Sequence, residues 1–236
     1  MKLLNIDANP KTVKGQKKGY LTGILYLAPA DLSGYNVCPM STEGCRAACL
    51  NTAGRGATNS VQKARINKTQ YFYFERKKFL SQLVQEIHSL KVKAKKVGLI
   101  PVVRLNGTSD IVWEAIWIQG DLNIFEMFPE VQFYDYTKRY NRKNIPANYH
   151  LTFSLAEDND KHAYEAFKNG MNVAAVFRDK ETVSYFEHFG FPLGENNVPV
   201  FNGDESDLRF LDPKNHIVAL YAKGRAKKDT TGFVKD

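Results

Sequence analysis

The stretch "YHLTFSLAEDNDKHAYEAFKNGMNVAAVF" (residues 149–177) predicts a strand, a helix and a second strand in close succession. Residues 149–155 and 172–177 are short runs rich in aromatic and β-branched side chains, which is typical of buried strands. Between them, residues 160–169 predict a helix that ends at Gly170, because glycine commonly terminates helices. Two strands joined through a helix pair in parallel, with a right-handed crossover. The stretch therefore predicts an α/β protein.

The same alternation of strand-like and helical segments extends along the chain. Further strands are predicted at residues 20–28, 99–106, 131–137, 198–202 and 216–222. Further helices are predicted for one long segment from Ser60 past Leu90 and for residues 121–128 and 181–189. No repeat or linker divides the sequence, so we expect one domain over residues 1–236 with a basic tail at about residues 223–236. The strand count favours a partial or complete (β/α) barrel with parallel strands, similar to a TIM barrel, and a doubly wound sheet is the alternative.

The composition indicates a soluble globular protein with an anionic partner. Hydrophobic residues make up 43% of the 236 residues and charged residues 25%, which is enough apolar surface for a sizeable core. The chain contains no run of about 20 apolar residues and no signal-peptide pattern, so we expect no membrane span and a cytoplasmic location. The formal net charge of +8 favours binding of nucleic acid or of a phosphorylated small molecule.

Polar side chains follow several of the predicted strands at the point where each strand ends. In parallel α/β folds the functional site forms at these carboxyl ends, where the following loops meet. We therefore expect the site residues to come from this set: Arg104, Asn106, Asp110, Asp135, Lys138 and Ser154.

The three cysteines of the chain lie together in the loop after the predicted strand at residues 20–28. Cys38, Cys45 and Cys49 have the spacing C-x6-C-x3-C. The number is odd and the expected compartment is reducing, which argues against a disulfide framework. Three thiolates suit either an iron–sulfur cluster or a zinc ion with a fourth ligand. The loop contains no histidine or aspartate to complete a zinc tetrahedron, so the spacing favours a cluster that the cysteines coordinate incompletely. Buried thiols without a ligand and a nucleophilic cysteine remain alternatives.

The cysteine loop resembles that of radical S-adenosylmethionine enzymes, which hold a [4Fe-4S] cluster on three cysteines after the first strand of a (β/α) barrel. The spacing here is longer than theirs, and Ala48 stands where they have an aromatic residue. Several longer motifs resemble a bacteriophage family, the gene-product-eighty-eight domain proteins. These motifs are "ILYLAPADLSGYNVCPMSTEGCRAAC", "RLNGTSD", "YDYTK", "LTFSLAE" and "ALYAKGRAKKDTTGFV". That resemblance implies a viral protein acting in the cytoplasm of a host bacterium.

Together the motifs and the resemblance predict an iron–sulfur protein. Cys38, Cys45 and Cys49 are its expected [4Fe-4S] ligands, and the open iron would bind S-adenosylmethionine or substrate. The expected catalytic residues are Asp110, Asp135 and Lys138, and the expected cofactor-binding residues are Arg104, Asn106 and Ser154. Lys138, Lys223 and the basic tail favour a nucleotide or another anionic substrate. Two alternatives remain open, a non-enzymatic iron–sulfur redox or sensor protein and a zinc-stabilised nucleic-acid-binding protein. The sequence leaves the oligomeric state open.

Overall fold

The computed structural model describes residues 1–6 and 10–236, and these residues form one mixed α/β assembly. Its strands are β1 (Leu4–Ile6), β2 (Tyr20–Leu25), β3 (Ile100–Arg104), β4 (Trp117–Gln119), β5 (Leu122–Asn123), β6 (Gln132–Thr137), β7 (Tyr149–Ser154), β8 (Val173–Phe177), β9 (Phe191–Leu193), β10 (Asn196–Val198), β11 (Val200–Asn202), β12 (Ile217–Tyr221) and β13 (Val234–Lys235). Its α-helices are α1 (Pro10–Gln16), α2 (Glu43–Ala47), α3 (Asn59–Phe74), α4 (Arg76–Lys96), α5 (Ile124–Met127), α6 (Asp160–Lys168) and α7 (Lys180–Phe189).

The central sheet is mostly parallel and has the strand order β1-β2-β3-β6-β7-β8-β12-β11. β1 runs antiparallel to β2, and every other pair along this path is parallel. From β2 to β8 the strands of the sheet succeed one another in chain order, and β12 then lies between β8 and β11. This confirms the α/β class with a mostly parallel central sheet. Within the described residues no ladder joins β1 to β11, so a closed barrel is not formed by these pairs.

The two faces of the sheet are covered differently. Phe133 of β6 and Phe153 of β7 belong to the large apolar clusters that pack against the helices. The opposite face carries Val102 and Tyr134, which pack against Leu208 in the segment after β11. Because side chains alternate along a strand, Asp135 shares the helix-facing side with Phe133, whereas Tyr134 and Tyr136 point to the other side.

Most predicted elements are confirmed, and the differences are local. The single long helix expected after Ser60 is two helices, α3 and α4, because the backbone leaves the helical region at Glu75 with φ −128° and ψ 47°. The helix expected at residues 121–128 shrinks to α5, because residues 117–123 form a β4–β5 hairpin instead. A capping box between Asn123 and Glu126 then starts the helix. The strand expected at residues 198–202 is interrupted at Pro199.

No helix among residues 1–6 and 10–236 combines the length and the apolar character needed to span a bilayer.

Candidate functional site

The three cysteines lie at the carboxyl ends of the parallel strands, where four segments meet. We call residues 36–56 the cysteine loop, residues 105–112 the β3 loop and residues 222–235 the tail; the fourth segment is residues 155–159, after β7. The β3 loop touches the cysteine loop directly, because the amide of Asp110 donates a hydrogen bond of 2.8 Å to the carbonyl of Val37. The cysteine loop therefore lies at the carboxyl end of the sheet, beside the loop that follows β3.

All three cysteine thiols are partly buried, and their charges shift the pKa of neighbouring thiols. Burial raises the pKa of Cys38 to about 12, and repulsion from Cys49 and Cys45 adds to this rise. Burial also raises the pKa of Cys45 and of Cys49, and the charge of Cys45 contributes to the shift at Cys49. Each thiol therefore lies within electrostatic range of another.

Backbone groups surround two of the sulfurs. The amide of Asn51 donates a hydrogen bond of 3.5 Å to the Cys49 sulfur, and the Ala30 amide lowers the pKa of Cys38 through a hydrogen bond. The Cys38 thiol in turn lies 3.6 Å from the carbonyl oxygen of Thr108 in the β3 loop. Amide donors aimed at sulfur stabilise thiolates, because they compensate negative charge.

Glu157 holds the short helix α2, which carries Cys45. Its carboxylate accepts hydrogen bonds of 2.7 Å from the Thr42 hydroxyl and 2.7 Å from the Gly44 amide. Thr42 also caps the helix by accepting a bond of 3.1 Å from the Cys45 amide. Burial pushes the pKa of Glu157 upward, but these hydrogen bonds outweigh burial and lower the pKa overall. The sequence-based reasoning missed Glu157, although it directly follows the strand-ending motif "LTFSLA".

Arg65 of α3 supports the other end of the cysteine loop. Its guanidinium donates to the side-chain oxygen of Asn51, and it lies 4.9 Å from the ring centre of Tyr26. Burial lowers the pKa of Arg65, and the charges of Tyr26 and Cys49 partly offset this decrease. Gln62 adds a hydrogen bond of 2.7 Å to the Asn51 carbonyl. The buried Arg65 guanidinium therefore lies within electrostatic range of the Cys49 thiol.

Lys138, Asp110 and Ser154 converge beside Cys45. The Lys138 ammonium donates hydrogen bonds of 3.0 Å to the Ser154 hydroxyl and 3.1 Å to the Ser154 carbonyl. Burial lowers the pKa of Lys138, while the charges of Cys45 and Asp110 favour its protonated form. The Lys138 amide also donates a bond of 3.0 Å to Asp110 Oδ2. These three sequence-predicted residues therefore lie together, and the charges of Lys138 and Asp110 act on Cys45.

Arg104 and Asp135 form a separate buried network with Asp207. Arg104 Nη1 lies 2.8 Å from Asp207 Oδ2, and Arg104 Nε lies 3.9 Å from Asp135 Oδ1. The Asp135 carboxylate accepts hydrogen bonds from the amides of Leu105 and Asn106 and from the Tyr149 hydroxyl. Burial nevertheless raises the pKa of Asp135 to about 7. These contacts hold the carboxyl ends of β3 and β6 together.

The Asn106 amide organises the β3 loop. Its oxygen accepts hydrogen bonds from the Ser109 hydroxyl, the Ile111 amide and the Trp113 indole. Its nitrogen donates a hydrogen bond of 2.9 Å to the Ile111 carbonyl. The expected catalytic role of Asp135 and the expected cofactor-binding roles of Arg104 and Asn106 stay predictions. In the structure these side chains are engaged in internal contacts.

The tail is part of the site. β13 pairs with Val176 and Phe177 in the last part of β8, whereas β7 pairs only with Val173 and Ala174. The tail therefore fills the gap that opens between β7 and β8. Phe233 packs in an apolar cluster with Ala48 and Ala156, to which Cys45 adds its side chain. The ring of Phe233 lies 5.4 Å from the Lys138 ammonium.

A surface pocket of about 360 Å³ separates α2 from the tail. Its lining residues are Ala47, Ala48, Arg225, Lys228, Asp229, Thr230 and Thr231.

Within the described ranges, no group of three or more histidine, cysteine, aspartate or glutamate side chains is arranged to hold a metal ion.

A family model described as gene product 88 matches residues 2–236. Neither the curated proteins nor the solved structures contain a match to the chain.

Proposed function

The chain belongs to the gene product 88 family, and from this premise and the site geometry we propose that it is an iron–sulfur protein with a [4Fe-4S] cluster on Cys38, Cys45 and Cys49. The observation that carries the proposal is the placement of three partly buried thiols in one loop at the carboxyl ends of the parallel strands, where Cys38 and Cys49 feel the charge of Cys45. In an α/β fold this edge is where cofactors and substrates bind.

The chemistry of the donor set fits the cluster. Burial raises the pKa of the free thiols, whereas binding to a metal deprotonates a thiol. Lys138 acts on Cys45 and Arg65 on Cys49 to offset the resulting negative charge. The amides of Ala30 and Asn51 supply the hydrogen bonds to sulfur that tune cluster potentials.

The composition of the cysteine loop supports a cluster more than a single zinc ion. Structural zinc sites take four protein ligands, and the loop contains no histidine or aspartate to complete the set. A [4Fe-4S] cluster on three cysteines leaves one iron for another ligand.

When bound, the cluster would supply electron transfer or Lewis-acid chemistry at the strand ends. The protein's own residues would enclose it. Glu157 and Thr42 fix α2, Phe233 excludes water beside Cys45, and Lys138 places a buried positive charge where an anionic group would approach. We propose that the substrate is a nucleotide or another anionic molecule, and that it enters through the pocket lined by Arg225 and Lys228.

The decisive experiment is iron and sulfide analysis after purification without oxygen, combined with visible absorption. We expect the wild-type protein to contain iron and acid-labile sulfide, and the variants Cys38→Ala, Cys45→Ala and Cys49→Ala each to lose the intact cluster. Met40→Ala is the matched control, because Met40 is an exposed residue of the same loop. One zinc and no iron, or a full cluster in Cys45→Ala, would overturn the proposal.

A second measurement tests the radical-type chemistry. The resemblance of the loop to radical enzymes implies that S-adenosylmethionine binds the iron that lacks a cysteine. We expect its addition to change the electron paramagnetic resonance signal of the reduced cluster. An unchanged signal would assign the protein to electron transfer or sensing instead.

A further inference from the structure

The break between α3 and α4 exposes aromatic side chains at the surface. Phe74, the last residue of α3, is 70% exposed, whereas Phe72 and Phe79 on either side of the break are buried. Tyr35, in the segment before the cysteine loop, stacks on Tyr73 at a ring-centre distance of 4.2 Å and lies 5.5 Å from Phe74 in an edge-to-face contact. We call Tyr35, Tyr73 and Phe74 the aromatic platform. A group of neighbouring aromatic rings at the surface indicates a binding site, unlike a single exposed apolar residue.

Positive charge lies beside the aromatic platform. Arg76, Lys77 and Lys78 stand in the first turn of α4, which contains no acidic residue. The helix dipole disfavours positive side chains at this end, so helix stability does not explain their presence. Lys78 pairs with Glu75, but neither Arg76 nor Lys77 has an acidic partner in the part of the chain that the structure describes. The Arg76 guanidinium lies 5.9 Å from the ring centre of Tyr73, so this charge adjoins the aromatic platform.

The aromatic platform borders the cysteine loop. The Tyr73 hydroxyl donates a hydrogen bond of 3.4 Å to the Asn36 carbonyl. The Asn36 side chain in turn accepts a hydrogen bond of 2.8 Å from the Cys38 amide. A molecule bound on the aromatic platform therefore lies close to the candidate functional site.

We propose that the aromatic platform binds single-stranded nucleic acid, with a base stacked on Phe74 and neighbouring phosphates bound by Arg76 and Lys77. Aromatic rings beside positive charges suit a single strand, because every base has a π-face and every linkage carries a negative charge. The net charge of +8 suits the same partner. This binding does not require the cluster, so the inference goes beyond the proposed function and can stand or fail independently of it.

The first test measures the binding of the full chain to labelled oligothymidine and oligouridine of about 16 nucleotides by fluorescence anisotropy. We expect both single strands to bind more tightly than a duplex of the same length, because pairing hides the faces of the bases. The tighter of the two single strands identifies DNA or RNA as the partner. A wild-type protein that binds neither single strand, or that prefers the duplex, overturns the proposal.

Substitutions of Phe74 test the stacking. We expect Phe74→Ala to weaken single-strand binding by about 5- to 150-fold, the loss that follows removal of one stacked base, and Phe74→Trp to retain binding. Phe74→Leu should lose affinity as well, because leucine keeps apolar surface but has no ring. Phe189→Ala is the matched control, since Phe189 is an aromatic residue of α7 that is 59% exposed. Wild-type affinity in Phe74→Leu would overturn base stacking on the aromatic platform.

The salt dependence of binding tests the phosphate contacts. We expect Lys77→Gln to reduce the slope of the logarithm of the binding constant against the logarithm of salt concentration by about 0.7, the value for one phosphate contact on a single strand. Lys96→Gln removes an exposed lysine at the other end of α4 and should leave the slope unchanged. Equal slopes in Lys77→Gln and the wild type would contradict the phosphate contact. This comparison also decides if Phe74→Ala does not fold.

Size-exclusion chromatography separates the proposal from an interface between copies of the chain. A dimer that forms in the wild type and is lost in Phe74→Ala would assign the aromatic platform to a second copy and overturn nucleic-acid binding there. We expect equal elution of both proteins. We also expect equal iron content, because Phe74 lies outside the cysteine loop.

Discussion

The amide of Gly44 donates a hydrogen bond of 2.7 Å to the carboxylate of Glu157, and this contact leaves no room for a side chain at position 44. A Cβ added there would lie 2.2 Å from Thr231 Oγ1 and 2.8 Å from Glu157 Oε2. Helix α2, the segment after β7 and the tail therefore meet at one point.

Replacement of Gly44 by alanine should separate these three segments. We expect Gly44→Ala to lower the free energy of unfolding by about 1–3 kcal/mol, as overpacked sites do, and to reduce the iron retained per chain. Thermal unfolding and iron analysis measure the two effects.

Gly15→Ala is the matched control for this change. A Cβ at position 15 in α1 would meet its nearest atom at 3.8 Å, an ordinary contact, and alanine favours a helix over glycine by about 0.5–1 kcal/mol. We expect this variant to be as stable as the wild type or more so. Equal stability of Gly44→Ala and the wild type would contradict the contact.

The Arg65 guanidinium should matter more to the cysteine loop than to the rest of the fold. Arg65→Gln removes the guanidinium that donates to the side-chain oxygen of Asn51. The backbone amide of Asn51 in turn donates a hydrogen bond to the Cys49 sulfur. We expect a loss of about 1–3 kcal/mol in the free energy of unfolding, because a buried acceptor is left unpaired. We also expect faster removal of iron by a chelator.

Lys63→Gln removes the same charge from an exposed position of α3 and controls for net charge. Its chelation rate should match that of the wild type. If both variants release iron at equal rates, net charge rather than the contact with Asn51 controls the loop.

The buried pair of Arg104 and Asp207 should show strong energetic coupling. Arg104→Met leaves the carboxylates of Asp207 and Asp135 without their cation, and we expect a cost of about 3–5 kcal/mol. Asp207→Asn should cost less, since the guanidinium keeps its contacts with the rings of Tyr134 and Tyr136. Urea unfolding of both single variants and the double variant gives the coupling energy. Strictly additive effects would show that the two side chains do not stabilise each other.

The Asp135 carboxyl should make the protein less stable as the pH rises. Its pKa is about 7 in the folded protein and about 3.9 in an unfolded chain, so the folded state binds more protons between these values. The contribution to stability is fully present below pH 4 and is lost as the pH rises through 7. The upper limit of this loss is about 4 kcal/mol, at 1.36 kcal/mol for each pKa unit.

Urea unfolding across this pH range, for the wild type and for Asp135→Asn, measures the loss. We expect Asp135→Asn to flatten the decline, whereas Asp121→Asn at an exposed turn should leave it unchanged. A decline of the same size in Asp135→Asn would assign the titration to another group.

The sequence predicted the strands well because each is a short run of β-branched or aromatic residues between turn residues. The break at Glu75 could not be predicted, since neither glycine nor proline marks it and the apolar spacing continues across it. β13 could not be predicted either. It is two residues long within a basic segment, and it pairs only because β7 leaves the last part of β8 free.

For the site, the sequence predicted the residues that follow strands but not their partners. Asp110, Lys138 and Ser154 were found because they end strands, and the structure brings them beside Cys45. Glu157 was missed because an acid in a loop resembles solvated surface. Strand alternation places Asp135 on the helix-facing side with Phe133, and its expected catalytic role stays a prediction.

The position of β13 also sets when the site can form during protein synthesis. The ribosome makes the cysteine loop early, whereas the tail that covers Cys45 is made only after β12. The nascent chain therefore leaves Cys45 without this cover while residues 50–232 are being made. Enclosure of Cys45 has to wait until β13 has emerged and paired with β8.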